Sequence, residues 1–329
     1  YGSVDISANE LVGSGTGKTQ IAAASTAMHV NRVTGERASY QSLAADGGLE
    51  VGWKATNRKF AEVTALGAKW AMSGASLGFD TLAVLPSGQL KLTATTGDLR
   101  LGPALSDDTG APLPDSHAEF DVAGREVAFF DVSRASPGGR VELVSASGNV
   151  IVNGASKVNV SAPSGGDAGD LVVSATGGEL QVSAEAELTG LATGDGEGAG
   201  FELDVARLAD FSSLNDKLNT GGFHGARSLR VRDQASLTMG SMKAKDIRVS
   251  VDKGALTLNG TLDASGSDAG GIGLYSRDNL TLGEGAWLNA YATGDGENGG
   301  TVEIESVSGK LDLAAGKVNV SGGAGGSGG

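Results

Sequence analysis

The chain has 329 residues at 32.7 kDa, with 54 glycines, 40 % apolar and only 5 % aromatic side chains. Six prolines and no three-residue glycine period exclude a collagen-like rod, the apolar content argues against disorder, and the lack of cysteine excludes disulfide frameworks and thiolate chemistry. Twenty-five basic against 39 acidic residues leave a net charge of −14, which excludes nucleic acid or an anionic membrane surface as the main partner.

Residues 1–70 hold 7 basic and 6 acidic side chains, so the negative charge falls on the remainder. The start, YGSVDISANE, lacks the basic and apolar segments of a leader, and no apolar run approaches the length of a membrane span. A mature chain, or a piece of one, without membrane insertion is therefore expected. VGSGTGKT at 12–19 resembles a phosphate-binding loop, but Gly13 to Gly17 encloses three residues where the motif needs four, so it reads as a glycine-rich turn. Trp53, Lys54, Arg58, Lys59, Phe60, Lys69 and Trp70 form the one basic and aromatic interleaving, read as a locally packed amphipathic element. Ser76 in GASLG and Ser327 in GGSGG match the nucleophile-elbow pattern, a coincidence expected in so glycine- and serine-rich a chain.

Alternating apolar and polar residues then mark strands at QLKLTATTGDLRLG (89–102) and RVELVSASGNVIVNG (140–154). Between them, residues 103–118 hold Pro103, Pro112 and Pro114 and several acids, which predicts an exposed loop. The stretch SGGDAGDLVVSATGGELQVSAEAELTGLATGDGEGAGFELDV (164–205) recurs as SGSDAGGIGLYSRDNLTLGEGAWLNAYATGDGENGGTVEIES (265–306), and KVNVS stands at both 157–161 and 317–321. Within each copy the Gly/Asp loops return at 28 and 27 residues, Asp167 to Asp195 and Asp268 to Asp295, with three short alternating runs between them. A unit of about 27 residues cannot bury a core alone and must stack on copies of itself.

The predicted fold is all-β: a right-handed parallel β-helix over residues 1–329, three strands per coil, with Val, Leu, Ile and Ala inside and glycine at the corners. One segment departs from it. Leu208, Phe211, Leu214 and Leu218 recur at helical spacing before Gly221-Gly222, so residues 206–222 are expected to form a short helical excursion. LRVRDQASLTMG (229–240) and IRVSVDKGALTLNG (247–260) return to strand alternation.

Few residues suggest chemistry. Gly294, Gly296 and Gly299 satisfy a dinucleotide fingerprint, but a strand-like TVEIES follows where a helix is required. His29, His117 and His224 occur singly. Asp195 and Glu197 in GDGEG, and Asp295 and Glu297 in GDGEN, repeat a carboxylate spacing that offers oxygen ligands to Ca²⁺, although aspartate and glycine also serve simply as corner residues; no other cofactor is implied. The sequons at Asn159, Asn259, Asn279 and Asn319 suit stacked strands, where asparagines can ladder between coils.

LTLNGTLDASGSDAGG (256–271), KLDLAAGKVNVSGGAGGSGG (310–329) and the FHGARSLRVRD that follows the helical segment resemble the filamentous haemagglutinin family of large surface exoproteins, over at least residues 140–329. The resemblance implies a right-handed β-helix exported by an outer-membrane two-partner secretion transporter to the surface of a Gram-negative bacterium. It also implies a non-catalytic role as adhesin or filament, with a host-cell or matrix glycan or protein receptor, while self-association is an expectation from the uncovered strand edge at the repeat-like carboxy end. Because the carboxy end is repeat-like and no secretion domain is recognisable, a segment of a longer polypeptide is expected. Two other readings remain open on the residues alone: a β-helical polysaccharide-active enzyme, and the stalk of a contact-dependent toxin-delivery protein.

Overall fold

The computed structural model describes residues 2–53, 60–103 and 117–329. Among the described residues strands dominate, nearly all pair in parallel, none closes a barrel, and one helix interrupts them. The contacts divide the chain into two compact units, 1–199 and 200–329. Most of the expected loop at 103–118 lies outside the described residues, as do Lys54, Arg58 and Lys59.

In the first unit, three strand ladders repeat along the chain. The front ladder places Lys69–Gly74, Gln89–Ala94, Arg140–Ser145 and Asp170–Val182 side by side in parallel. Alternation then makes continuous inward columns, one of which runs Leu43, Met72, Leu92, Leu143, Val173. Each of these side chains is buried. The second ladder stacks Leu49, Leu77, Leu99, Val150 and Leu180. The third stacks Val33, Ala83, Phe120, Val158 and Leu188, and Phe120 meets Phe79 edge to face with centroids 4.9 Å apart. Aliphatic columns of this kind bury the inward face of each strand, while the alternate residues face outward.

An antiparallel hairpin, Glu126–Phe129 with Val132–Ala135, branches from this unit and has no counterpart in the sequence expectation. Its strands are too short and too irregular in polarity to stand out from the surrounding alternation. Trp70 is buried on the inner side of the front ladder beside Leu90 and donates its indole N–H to the Thr34 carbonyl at 2.9 Å.

In the second unit, the front sheet contains Gly200–Arg207, Ala226–Val231, Asp246–Val251, Gly271–Ser276 and Thr301–Ser306. A second sheet holds Ser236–Met239, Ala255–Leu258, Leu280–Leu282 and Leu311–Asp312, and a third holds Met242–Lys243, Thr261–Asp263, Trp287–Asn289 and Lys317–Asn319. Strands of the three sheets thus follow one another in turn along the chain, a parallel, solenoid-like arrangement. The interval is less regular than the predicted 27 residues. Ser236 pairs with Ala255, a step of 19, whereas Leu280 pairs with Leu311, a step of 31. Most of the variation sits at one corner, between the third sheet and the front sheet: Lys243 to Asp246 is short, Asp263 to Gly271 longer, and Asn289 to Thr301 longest. In the matching part of the first unit the step is 30, so Glu197 rather than Asp195 lies against Asp167, whose carboxylate accepts the Glu197 N–H at 2.9 Å.

The helix spans Phe211–Thr220, within the predicted 206–222, of which residues 206–207 still belong to a front strand. Asp210 caps it by accepting the Ser213 N–H at 2.9 Å, and Gly222, at φ +83°, turns the chain out of it. Phe211, Leu214 and Leu218 are buried, and Leu208 is buried just ahead of the helix. Two front strands, Gly200–Arg207 and Ala226–Val231, flank the helix directly, so it fills the part of the coil that the other two strands fill elsewhere in this unit. It packs on the first strands of the second and third sheets, where Asn215 donates to the Ser241 carbonyl at 2.7 Å.

Candidate binding face

The repeat sequences explain one recurrent local device. Asp121, Asn159, Asp263 and Asn319 end their strands by accepting the N–H two residues on, at 3.1–3.2 Å. Each is an Asx turn that closes a corner, which accounts for the return of KVNVS and for the sequons at Asn159 and Asn319. The Asp195/Glu197 and Asp295/Glu297 loops are likewise corners. Gly194 and Gly296 sit at φ +71° and +78°, and among the described residues no three His, Asp or Glu side chains gather to hold a metal ion. VGSGTGKT is a strand, a tight turn at Gly15 and a second strand, and Gly294–Gly299 leads into the strand Thr301–Ser306. The histidines stay apart: His29 lies 3.4 Å from Asp5 and His117 3.7 Å from Glu119.

The distinctive chemistry lies on the outward face of the second unit's front sheet. Register aligns two outward rows across its five strands. One runs Glu202, Ser228, Arg248, Gly273, Glu303; the next runs Asp204, Arg230, Ser250, Tyr275, Glu305. Together they line an open groove of about 770 Å³ and a smaller neighbour beside Gly273.

Tyr275 is the centre of this face. Its ring folds back over Gly273, where a Cβ would stand 2.8 Å from Tyr275 Cε2, so only glycine there lets the ring lie down. The Arg248 guanidinium covers the ring at 4.3 Å from its centroid. The phenol donates to Glu303 Oε2 at 2.6 Å and accepts from Arg248 Nη1 at 3.3 Å. The hydrogen bond to Glu303, followed by partial burial, raises the Tyr275 pKa above its ordinary 10.0.

Around it the charges are partly committed. Asp204 takes Arg232 through two oxygens at 2.5 and 2.7 Å, and that bond is the main reason the Arg232 pKa is raised. Asp252 holds Arg230 at 2.8 Å. Arg248 and Arg277 meet no carboxylate among the described residues, and the Glu202 and Glu305 side chains make no hydrogen bond or ion pair there. In the first unit, by contrast, the outward Lys91 and Arg140 are each met across the ladder, by Glu142 at 2.5 Å and by Asp170 at 3.2 Å. None of the face residues stood out in the sequence, although LRVRD and LYSRD show a signal once aligned, arginine or tyrosine at alternate positions ahead of an aspartate, and IRVSVD between them keeps one arginine, Arg248.

Behind the same sheet, Arg227 occupies an inward position in the column Phe201, Arg227, Ile247, Ile272. It is fully buried and donates to the Phe223 carbonyl at 2.5 Å and to Asn215 and Asn219 Oδ1 at 3.1 and 2.8 Å. Burial without a carboxylate lowers its pKa to about 10. This cation ties the helix to the sheet. Compared with known proteins, the chain matches no family model, no curated protein and no solved structure.

Proposed function

We propose that the chain is a right-handed parallel β-helix and a non-catalytic segment of a filamentous-haemagglutinin-type exoprotein. In this reading an outer-membrane two-partner transporter exports it to the surface of a Gram-negative bacterium, where it serves in attachment or filament assembly. The observation that supports the reading best is the run of parallel, in-register strands with aliphatic columns inside and Asx or glycine corners between them. Right-handedness follows from the general rule for parallel crossovers. Such an architecture distributes load over many backbone hydrogen bonds and presents repeated outward rows, which suits a segment that holds and displays rather than one that turns over substrate.

The test is export. In the bacterium that carries this sequence, deletion of the cognate transporter should abolish labelling of intact cells by an antibody to the chain, while its cytoplasmic expression persists. Equal surface labelling without any such transporter, or sustained release of unsaturated oligosaccharides from a polysaccharide panel by the pure chain, would overturn the reading.

A further inference from the structure

We infer that the outward face around Tyr275 binds a neutral, hydroxyl-rich polysaccharide laid across the coils. The inference deepens the reading above and rests on it in one respect: the face holds a chain without cleaving it.

The argument is one of chemical matching. The groups on this face without a partner are of both signs, the Arg277 guanidinium and the carboxylates of Glu202 and Glu305, and Arg248, which spends one N–H on Tyr275, keeps further donors free. A polyanion would gain the two arginines but would be held against Glu202 and Glu305, beside the paired Asp204 and Asp252. A polycation meets the reverse problem. A sugar hydroxyl both donates and accepts, so vicinal hydroxyls satisfy guanidinium and carboxylate alike. The Arg248 guanidinium held over the Tyr275 ring sets a planar group of donors in the groove, and Gly273 keeps the ring low on the sheet. The groove's volume lies within the range of small-molecule and oligomer sites. Its donors and acceptors recur from strand to strand at about 4.8 Å, so a ligand that is itself repetitive can use successive coils. Phenol, guanidinium and carboxylate are already held together by the Arg248, Tyr275 and Glu303 contacts, which lowers the ordering cost of binding.

The experiment is isothermal titration of the 329-residue chain with three soluble polymers: a neutral β-glucan, polygalacturonate and chitosan. Tyr275→Ala, the shape-preserving Glu305→Gln and a distant control, Lys91→Ala, are titrated alongside. The inference expects binding of the neutral polymer, weakened at least about tenfold by Tyr275→Ala and by less for Glu305→Gln, and unchanged by Lys91→Ala. Raising ionic strength from about 0.05 to about 0.5 M should change that affinity by less than about twofold, because no net charge is neutralised. Binding of only the acidic or only the basic polymer would overturn the ligand class. Neutral binding that all variants share would overturn the site. No binding by chain that keeps its strand spectrum would overturn the inference and leave the exported-segment reading standing, as would self-association through this face that Tyr275→Ala abolishes. Binding accompanied by cleavage would keep the site and defeat the non-catalytic reading.

Discussion

At the scale of single residues, the corner ahead of the front sheet is where the fold is least tolerant. A Cβ on Gly169 would lie 1.7 Å from the Gly139 carbonyl oxygen, and one on Gly300 would lie 1.8 Å from that of Gly270. The obstacle in each case is backbone of the neighbouring coil, which cannot swing aside. Gly169→Ala and Gly300→Ala should therefore each cost about 3 kcal/mol or more by denaturant titration. Gly165, at φ +80° with open space around its missing Cβ, is the contrast: Gly165→Asn should cost less than about 1 kcal/mol, because asparagine tolerates that conformation. Equal losses at the three positions would show that contact between coils is not what selects glycine. Tyr275 offers a second residue-scale measurement. Its phenol is favoured by donating to Glu303, so the folded pKa is raised, and the stabilisation is complete below the unfolded pKa near 10 and disappears as pH climbs through the folded value. Glu303→Gln should bring the phenolate absorbance of Tyr275 back toward pH 10; a titration that does not move would mean the hydrogen bond is not what raises it.

At the scale of elements, the helix Phe211–Thr220 depends on its two ends and on Arg227. Asp210→Ala removes the cap and should cost about 1 kcal/mol. Asn219→Ala takes away an acceptor of a buried guanidinium and should cost about 1.5–3 kcal/mol, visible as faster hydrogen exchange over 211–220. Unchanged exchange there would mean that the apolar face alone holds the helix. His224 gives the same element a pH dependence. Burial, then the charge of Arg227, lowers its pKa below 6.5, so the folded state binds its proton less readily than the unfolded chain. Stability from this group is complete above pH 6.5 and declines as pH falls below it, and His224→Gln should flatten that decline in a thermal-unfolding series. The helix was legible in the sequence because Phe211, Leu214 and Leu218 keep a 3.6-residue period against a background of alternation. Its clamp was not, because Arg227 sits in ARSLRV at an inward position where alternation predicts an aliphatic residue, and only register reveals that its neighbours are Phe201 and Ile247. The Tyr275 face was hidden for the same reason: Arg248, Gly273 and Glu303 are far apart in sequence and become one row only when three strands align.

At the scale of the molecule, each coil touches mainly the coils on either side, so stability should behave as a sum of local terms rather than as one indivisible core. The first unit allows a direct test. Leu92 lies in the middle of the column Leu43, Met72, Leu92, Leu143, Val173 and is fully buried, so Leu92→Ala removes side-chain volume that backbone hydrogen-bonded on both sides cannot easily collapse to fill. The cost should fall at about 2–5 kcal/mol. Its distribution matters more than its size. In a globular core the cavity weakens the whole cooperative unit, whereas in a stack the adjoining strands Lys69–Gly74 and Arg140–Ser145 should lose amide protection first. Tyr40–Ala45 and Asp170–Val182, one coil further out on either side, should lose much less. Hydrogen exchange read by mass spectrometry on these four segments makes the comparison within a single sample. A graded loss centred on Leu92 is the expected result, because coupling passes only through neighbouring coils. A uniform loss across all four strands would show that the unit unfolds as one body and that nearest-neighbour stacking does not describe its stability.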